Sequence, residues 1–490
     1  MADTERFARP RVRARRMRSL VLSLLASTAL LGSAPSLAAR PVHHVETLYA
    51  HWCANCHGAK LEGGKGVALA GVKLKHGDTV EAVLRSIQEG FPLSGMPGFR
   101  ATFSAADANA LAIYVREFAA RITHPSKNLP IDPAEIHLSK HHRFRIETVV
   151  DDGLQVPWSF AFLPDGRILL TERAGRLRLI EKGRLLPAPV ENIPAVIERD
   201  EAGLMAVALA PDYAQSGWIY LSFSDPGPPE TAMTKIVRGK LRANRFEEIE
   251  TIFSLPPAHY PRGYVLFGGR MVFADGHLFF SIGERGQTGE AQNPASPLGK
   301  IHRVKPDGGI PGDNPFAGTP GAWPSLWALG VRNPHGLALD PRNGDLWESE
   351  HGPRGGDELN VITAGKNYGW PVITYGMNYN GTPISDKTEA PDLEQPVKYW
   401  TPSIAASQVA FYTGDRFPAW KNSLFVGSLA QQRLIRFDLE HRTITHEEEI
   451  FQGLGRIRDL QTGPDGLLYV LLEQIGGASG RLVRLVPAGS

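Results

Sequence analysis

Residues 160–172 read Phe160-Ala161-Phe162-Leu163-Pro164-Asp165-Gly166-Arg167-Ile168-Leu169-Leu170-Thr171-Glu172, an apolar run, a Pro-Asp-Gly turn and a second apolar run that ends on an acid. Aromatic and β-branched residues suit a pleated, half-buried surface, and Asp-Gly accepts the backbone angles of a tight hairpin. The pattern recurs as GLMAVALAPDYAQSGWIYLSFSD from Gly203, GRMVFADGHLFFSIGE from Gly269 and GLALDPRNGDLWESEHG from Gly336. SQVAFYTGDRFPAWKNSLFVGSL from Ser407 and RDLQTGPDGLLYVLLEQ from Arg458 complete it. Six copies at roughly 58 residues each leave room for four strands and their loops. The pattern predicts an all-β, six-bladed β-propeller over 144–490. A two-sheet sandwich shares the strand signals but rarely runs this long as one domain. A propeller has an axial channel ringed by loops, a natural seat for a flat cofactor.

Upstream the period changes. Val45–Trp52, Thr79–Gly90 and Ser104–Arg121 read as three helices, the last opened by Ser104 with Asp107 three residues on, a capping-box-like start. After the first comes Cys53-Ala54-Asn55-Cys56-His57, which holds the only two cysteines among 490 residues. That spacing suits a c-type haem, with thioethers at Cys53 and Cys56 and His57 on the iron. A redox dithiol would open the helix of a βαβ unit, and a zinc site usually brings a second pair of ligands; the sequence offers neither. Met96, in the Gly/Pro-rich loop Leu93-Ser94-Gly95-Met96-Pro97-Gly98-Phe99, fits the sixth ligand. Residues 40–124 resemble a small, all-α class I cytochrome c domain and match it at both axial ligands.

The first 38 residues carry seven arginines, an apolar run from Leu20 to Leu31 and the small residues Ser36-Leu37-Ala38-Ala39. This is the layout of a cleaved signal peptide, and the apolar run is shorter than the ~20 residues a spanning helix needs. The mature chain is expected in the periplasm, without a spanning helix. Lys+Arg 53 against Asp+Glu 51 gives +2, and removing the leader's seven basic and two acidic residues leaves about −3. Nothing in that balance favours nucleic acid. Without further cysteines there is no disulfide framework, so each domain must rest on its own core. Residues 125–143, punctuated by Pro125, Pro130 and Pro133, read as a linker, with His141 and His142 solvated.

Three propeller loops carry more chemistry than a turn requires. Gly330-Val331-Arg332-Asn333-Pro334-His335-Gly336 offers a cationic fork and an amide, suited to a carbonyl or developing oxyanion. Ser349-Glu350-His351-Gly352-Pro353-Arg354-Gly355-Gly356-Asp357-Glu358-Leu359-Asn360 frees backbone carbonyls and supplies carboxylates, which a hard cation such as Ca²⁺ prefers. Arg456 and Arg458, on one face of a strand, could clamp carboxylates together. Each cluster read alone is equally compatible with surface arginines or a glycine-rich connection.

Taken together, LGVRNPHGLAL, SEHGPRGGDELN, NYGWP and RIRD resemble the soluble pyrroloquinoline-quinone (PQQ)-dependent aldose dehydrogenases over about 144–490. The resemblance implies a quinone on the propeller axis, with Arg332 and Asn333 at its ortho-quinone oxygens and Arg456 and Arg458 near its carboxylates. It further implies that Gly352 and Pro353 give backbone oxygens to a catalytic Ca²⁺, and that Glu358 and the Tyr368 backbone belong to a structural one. Trp400 corresponds to the family's aromatic wall. The chain also departs from the family. Leu266 stands where the family has its base histidine, Glu284 replaces the aspartate that supports it, Glu201 replaces a glutamine, and Ala430 replaces a cofactor-binding lysine. His259 and Glu284 are the expected substitutes for the base.

The expected activity is oxidation of a sugar or related alcohol or aldehyde through PQQ. Electrons would pass to the attached haem and on to a downstream respiratory acceptor. A cytochrome carrying a degenerate carbohydrate- or partner-binding propeller is the non-enzymatic alternative. A calcium-dependent hydrolase is a third reading, weakened because hydrolysis has no use for a haem.

Overall fold

The computed structural model describes residues 44–123, 127–476 and 479–489; the expected signal peptide lies outside them. Among the described residues no helix is long and apolar enough to cross a membrane.

The N-terminal part is helical. Helices α1 (His44–Trp52) and α2 (Ala54–His57) carry the Cys-x-x-Cys-His stretch, followed by α3 (Val80–Glu89) and α4 (Ala105–Thr123). Each longer helix turns an apolar stripe inward: Val45 and Tyr49 on α1, Val80, Val83 and Ile87 on α3, and a run from Ala110 to Val115 on α4. Their starts are set by side chains. The Thr79 hydroxyl accepts from Ala82 N at 3.2 Å, and Ser104 accepts from Asp107 N at 3.0 Å. Such caps satisfy amides the helix itself leaves free.

Six antiparallel sheets follow, five of four strands and one of five. Their innermost strands begin at Pro157, Leu204, Gly268, Pro334, Ala406 and Arg456, each within a few residues of where a repeat starts in the sequence. Each innermost strand touches the next, and the sixth touches the first, so the sheets form a closed ring of blades I–VI. The ring is latched by Arg143–Val150, which adds to Gly480–Pro487 in blade VI with Phe144 opposite Pro487.

The innermost strands share one irregularity. In every blade the register between first and second strand shifts near the start of the first. Such bulges re-aim side chains at barrel rims and next to binding sites. Here they leave Trp158, His335 and Arg458 as extra residues, and all three line the axial pocket.

The helical domain is docked on this ring. Met377, on a loop of blade IV, is 1% exposed because it completes the helical domain's apolar core. His44 N donates to Asn380 O at 3.0 Å. Arg354 donates to Glu117 on α4 at 2.6 and 3.0 Å. Tyr399 Oη donates to Glu81 on α3 at 2.6 Å. The segment read as a linker is fastened as well, with Lys127 N donating to Gln432 Oε1 at 2.7 Å and Leu129 N to Gly453 O at 2.9 Å. His142 differs from the expectation of a solvated ring: its Nε2 accepts from Ala419 N at 3.1 Å and its ring packs on Phe417 and Trp420.

Candidate functional site

Two sites stand out, one in each domain. In the helical domain, α2 is a single turn that presents Cys53, Cys56 and His57 together, and neither cysteine is in a disulfide. Burial, and then its neighbour Cys56, pushes the Cys53 thiol up to about 11. The His57 imidazole is held by Nδ1, which lies 2.8 Å from the Val67 carbonyl. That contact assigns the proton to Nδ1 and leaves Nε2 as a free lone pair, the arrangement of a metal-ligating histidine. Met96 sits in a loop closed on itself, since Phe91 N donates to Met96 O at 2.8 Å and Met96 N to Phe91 O at 3.2 Å. Trp52, Phe99 and Phe103 form an edge-and-stack cluster beside Cys53. Thiols, a tied imidazole, a thioether and aromatic lining suit a covalent haem.

In the propeller, a pocket of about 340 Å³ lies where the innermost strands begin. Each blade contributes from that end: Trp158 from I, Met205 from II, Gly268 from III, His335 from IV, Ala405 from V, and Arg456 and Arg458 from VI. The ends of the second strands reach the same face and add Arg173, His351, Leu429 and Glu473. Arg456 and Arg458 share Glu473, at 3.4 Å in the first case and as a closer ion pair in the second. With Arg173 they place three guanidinium groups around one cavity, and the buried Nε atoms of Arg173 and Arg456 make no hydrogen bond, facing Glu198 at 3.9 Å and Glu473 at 3.4 Å only as ion pairs. Such a pocket suits a ligand with several carboxylates.

Arg332 and Asn333 are buried behind this wall and hold it in place. Arg332 Nη1 donates to the His351 carbonyl at 2.7 Å, and Asn333 Oδ1 accepts from Gly268 N at 3.1 Å. Their remaining atoms Arg332 Nε and Asn333 Nδ2 are buried without partners. His335 and His351 stack at 4.1 Å. Burial and the surrounding arginines push the His351 ring down to about 3 and lower His335 as well, so both are neutral imidazoles. No sequence motif assigns these histidines or Arg173 a role. A signal for two of them was present: Arg173 and His351 each directly follow the acid that closes a second strand.

Blade IV concentrates buried carboxylates. Glu348 lies opposite Asn360 and Glu350 opposite Glu358 on adjacent strands. Like charges in that position repel unless something neutralises them. Glu350 is anchored by the backbone N–H groups of Arg332 and Asn333, yet burial pushes it up to about 7. Glu348 and Glu358 are raised too, again chiefly by burial. Glu348 Oε1 and Asn360 Oδ1 are buried acceptors without a donor. Among the described residues no three acidic, imidazole or thiol groups converge to hold a metal alone. A cation beside Glu358 would therefore draw on amide and backbone oxygens as well, which hard cations accept. The Tyr368 ring is fixed nearby, its hydroxyl donating to Val361 O at 2.6 Å. Gly352 donates to Asp357 Oδ1 at 3.0 Å, and a Cβ there would meet Gly355 O at 2.3 Å, so only glycine fits; Pro353 is buried beside it.

The departures from the family pattern have definite places. Leu266 is buried, and its N–H donates to Glu201 Oε2 at 2.7 Å. Glu201 lines the axial pocket from its exposed side. Glu284 is 2% exposed, does not line the pocket, and is raised by burial. His259 is exposed on a short 3₁₀ turn outside the pocket. Trp400 lines a different cavity, between blade IV and the helical domain.

The glucose/sorbosone dehydrogenase family profile matches residues 154–484, which is most of the chain. The chain belongs to that family. The profile for cytochrome c oxidase, cbb3-type, subunit III matches residues 40–115. The chain is 42% identical over 346 residues to the aldose sugar dehydrogenase YliI of Escherichia coli, a match covering 69% of this chain and 92% of the relative. The crystal structure of the apo soluble aldose sugar dehydrogenase of Escherichia coli superposes with a TM-score of 0.65 at 40% identity, covering 70% of this chain and 100% of that one. The PQQ-bound aldose sugar dehydrogenase of Streptomyces coelicolor gives 0.57 at 27% identity, covering 70% and 98%. This member of the glucose/sorbosone dehydrogenase family thus joins an aldose sugar dehydrogenase-like propeller to a cytochrome c domain.

Proposed function

We propose that this protein is a periplasmic quinohaemoprotein that oxidises an aldose or related alcohol or aldehyde at the propeller axis and delivers the electrons to its own haem. The observation that carries the reading is the six-blade pocket, with Arg173, Arg456 and Arg458 converging on one cavity. Bound there, PQQ would supply a two-electron acceptor, and haem c would pass those electrons on singly to a respiratory acceptor.

The chain's own residues divide the work. Arg456 and Arg458 hold ligand carboxylates, with Arg173 as a third cation where Ala430 provides none. Arg332 and Asn333, buried behind the pocket wall with an unpaired donor each, would serve the quinone by fixing His351 and Gly268. Gly352 and Pro353 offer carbonyl oxygens to a catalytic Ca²⁺, and Glu358 with the Tyr368 carbonyl to a structural one. Trp400 forms an aromatic edge for substrate. Cys53 and Cys56 would hold the haem covalently, and His57 and Met96 would ligate its iron. Glu201 serves as the base, because among the candidates only its carboxylate both lines the pocket and touches position 266. From there it can accept the substrate hydroxyl proton, help worth about 10²–10⁴ in rate. Covalent fusion keeps the electron acceptor at high effective concentration.

The test uses the haem-loaded full chain. Aldose, PQQ and Ca²⁺ together should reduce the haem, seen in its visible spectrum, and omission of any one should prevent it. Calorimetry without heat at high micromolar PQQ would remove the basis of the enzyme reading. PQQ uptake without sugar-dependent reduction would favour the propeller as a binding module.

A further inference from the structure

A cavity larger than the axial pocket, about 730 Å³, is a cleft between the two domains, within the size range of small-molecule sites. One wall is propeller: Tyr375, Lys398, Tyr399 and Trp400. The other is cytochrome, including Asp78, Thr79 and Glu81 at the start of α3 and Arg116 and Ala120 on α4. The cleft and the axial pocket lie on neighbouring residues, Ile404 lining the first and Ala405 the second.

The cleft combines ring faces with charged and polar side chains. Tyr375 and Tyr399 stack at 3.7 Å and 8°, making a rigid aromatic slab. Trp400 lines the same wall, its indole N–H turned into the protein. Arg116 reaches Asp78 only at 3.7 Å, beyond hydrogen-bond length, so its guanidinium is open to hydroxyl oxygens. Flat apolar faces beside fixed donors and acceptors match a pyranose chain, which has ring faces and a girdle of hydroxyls. The volume is about twice that of the axial pocket, more than a single ring at Trp400 would fill.

We propose that the cytochrome domain forms the far wall of the sugar site, so that an oligosaccharide lies in the interdomain cleft with its reducing-end aldose at Trp400. The inference rests on the proposed sugar oxidation and extends it: the electron relay is also a substrate-binding surface.

Calorimetry on the haem-loaded full chain, kept free of PQQ so that nothing turns over, compares maltotriose with glucose. Maltotriose should bind at least tenfold more tightly. Ala120→Trp, which fills the cleft from α4, should bring that ratio close to one, and Arg116→Gln should reduce it several-fold without adding bulk. With PQQ and Ca²⁺ present, the same changes should appear in KM for maltotriose rather than in kcat. Equal affinity for both sugars in the wild type, or a ratio that survives both variants, overturns the cleft site. If Ala120→Trp does not fold, Arg116→Gln alone decides. Loss of all sugar-dependent haem reduction in the wild type, with the maltotriose preference intact, would instead overturn the oxidation reading.

Discussion

The haem crevice and the axial pocket are built on opposite plans. The crevice would take its proposed ligands from about 45 consecutive residues, Cys53 to Met96, which the sequence places close together. The pocket takes one residue or more from every blade, and its lining runs from Trp158 to Glu473. A local site can be found as a motif, and one change destroys it. A distributed site spreads its binding over many contacts, so single changes should weaken it by degrees.

That contrast can be broken in four ways. The largest effect belongs to the crevice. Cys53→Ala with Cys56→Ala should abolish covalent haem altogether, read as haem retained after denaturation. Met96→Ala should keep the haem but lose the sulfur-to-iron charge-transfer band and lower the potential; a band that persists would mean another sixth ligand. Next comes Glu201→Gln, expected to slow sugar-dependent haem reduction by about 10²–10⁴ with PQQ affinity little changed. His259→Ala should have no comparable effect, and a large one would relocate the base.

A smaller change is expected in cofactor affinity. Arg458→Ala should weaken PQQ binding by about 1.5–3 kcal/mol, the worth of a charge-assisted contact, because Arg173 and Arg456 remain. Ala430→Lys should tighten it by about as much or less, measured by calorimetry. Total loss on removing Arg458 would show that the pocket depends on one residue after all.

The mildest effect is on stability. Burial raises Glu350 from 4.5 to about 7 and Asp357 from 3.8 to about 6. Between the ordinary and raised values the folded chain holds protons that the unfolded chain has released. Metal-free protein should therefore lose stability as pH rises through that window, by at most about 1.4 kcal/mol per unit for each group. Ca²⁺ favours the charged carboxylates and should flatten the slope. Thermal midpoints at several pH values, with chelator and with Ca²⁺, would show it.

The same contrast explains what could be read from sequence. The blades were legible because each repeats a hairpin with turn chemistry, and the helices because their apolar spacing and caps are local. Arg456 and Arg458 were placed together by a strict two-residue period, whereas the strand is bulged at Arg458 and both still reach Glu473. The place of His335 is hidden for the same reason, since a period-two strand gives no hint that a bulge turns it into the pocket. Arg173, His351 and Glu201 come from three blades, and only the closed ring brings them to one cavity. The helix-to-propeller contacts were not legible either, because Met377 reads as one more loop residue until it enters another domain's core.

The latch that closes the ring also sets an order of assembly. Arg143–Val150 waits for Gly480–Pro487, about 330 residues later in synthesis. Until those residues arrive, Arg143–Val150 and Leu468–Glu473 are both open sheet edges, the kind of surface that pairs with other chains. The cytochrome segment is complete long before that moment. Its cysteines can meet haem while the loop bearing Met377 is still being made, so cofactor attachment can precede the docking that buries one domain against the other. A chain cut short before Gly480 would carry a finished haem site on a propeller that cannot close.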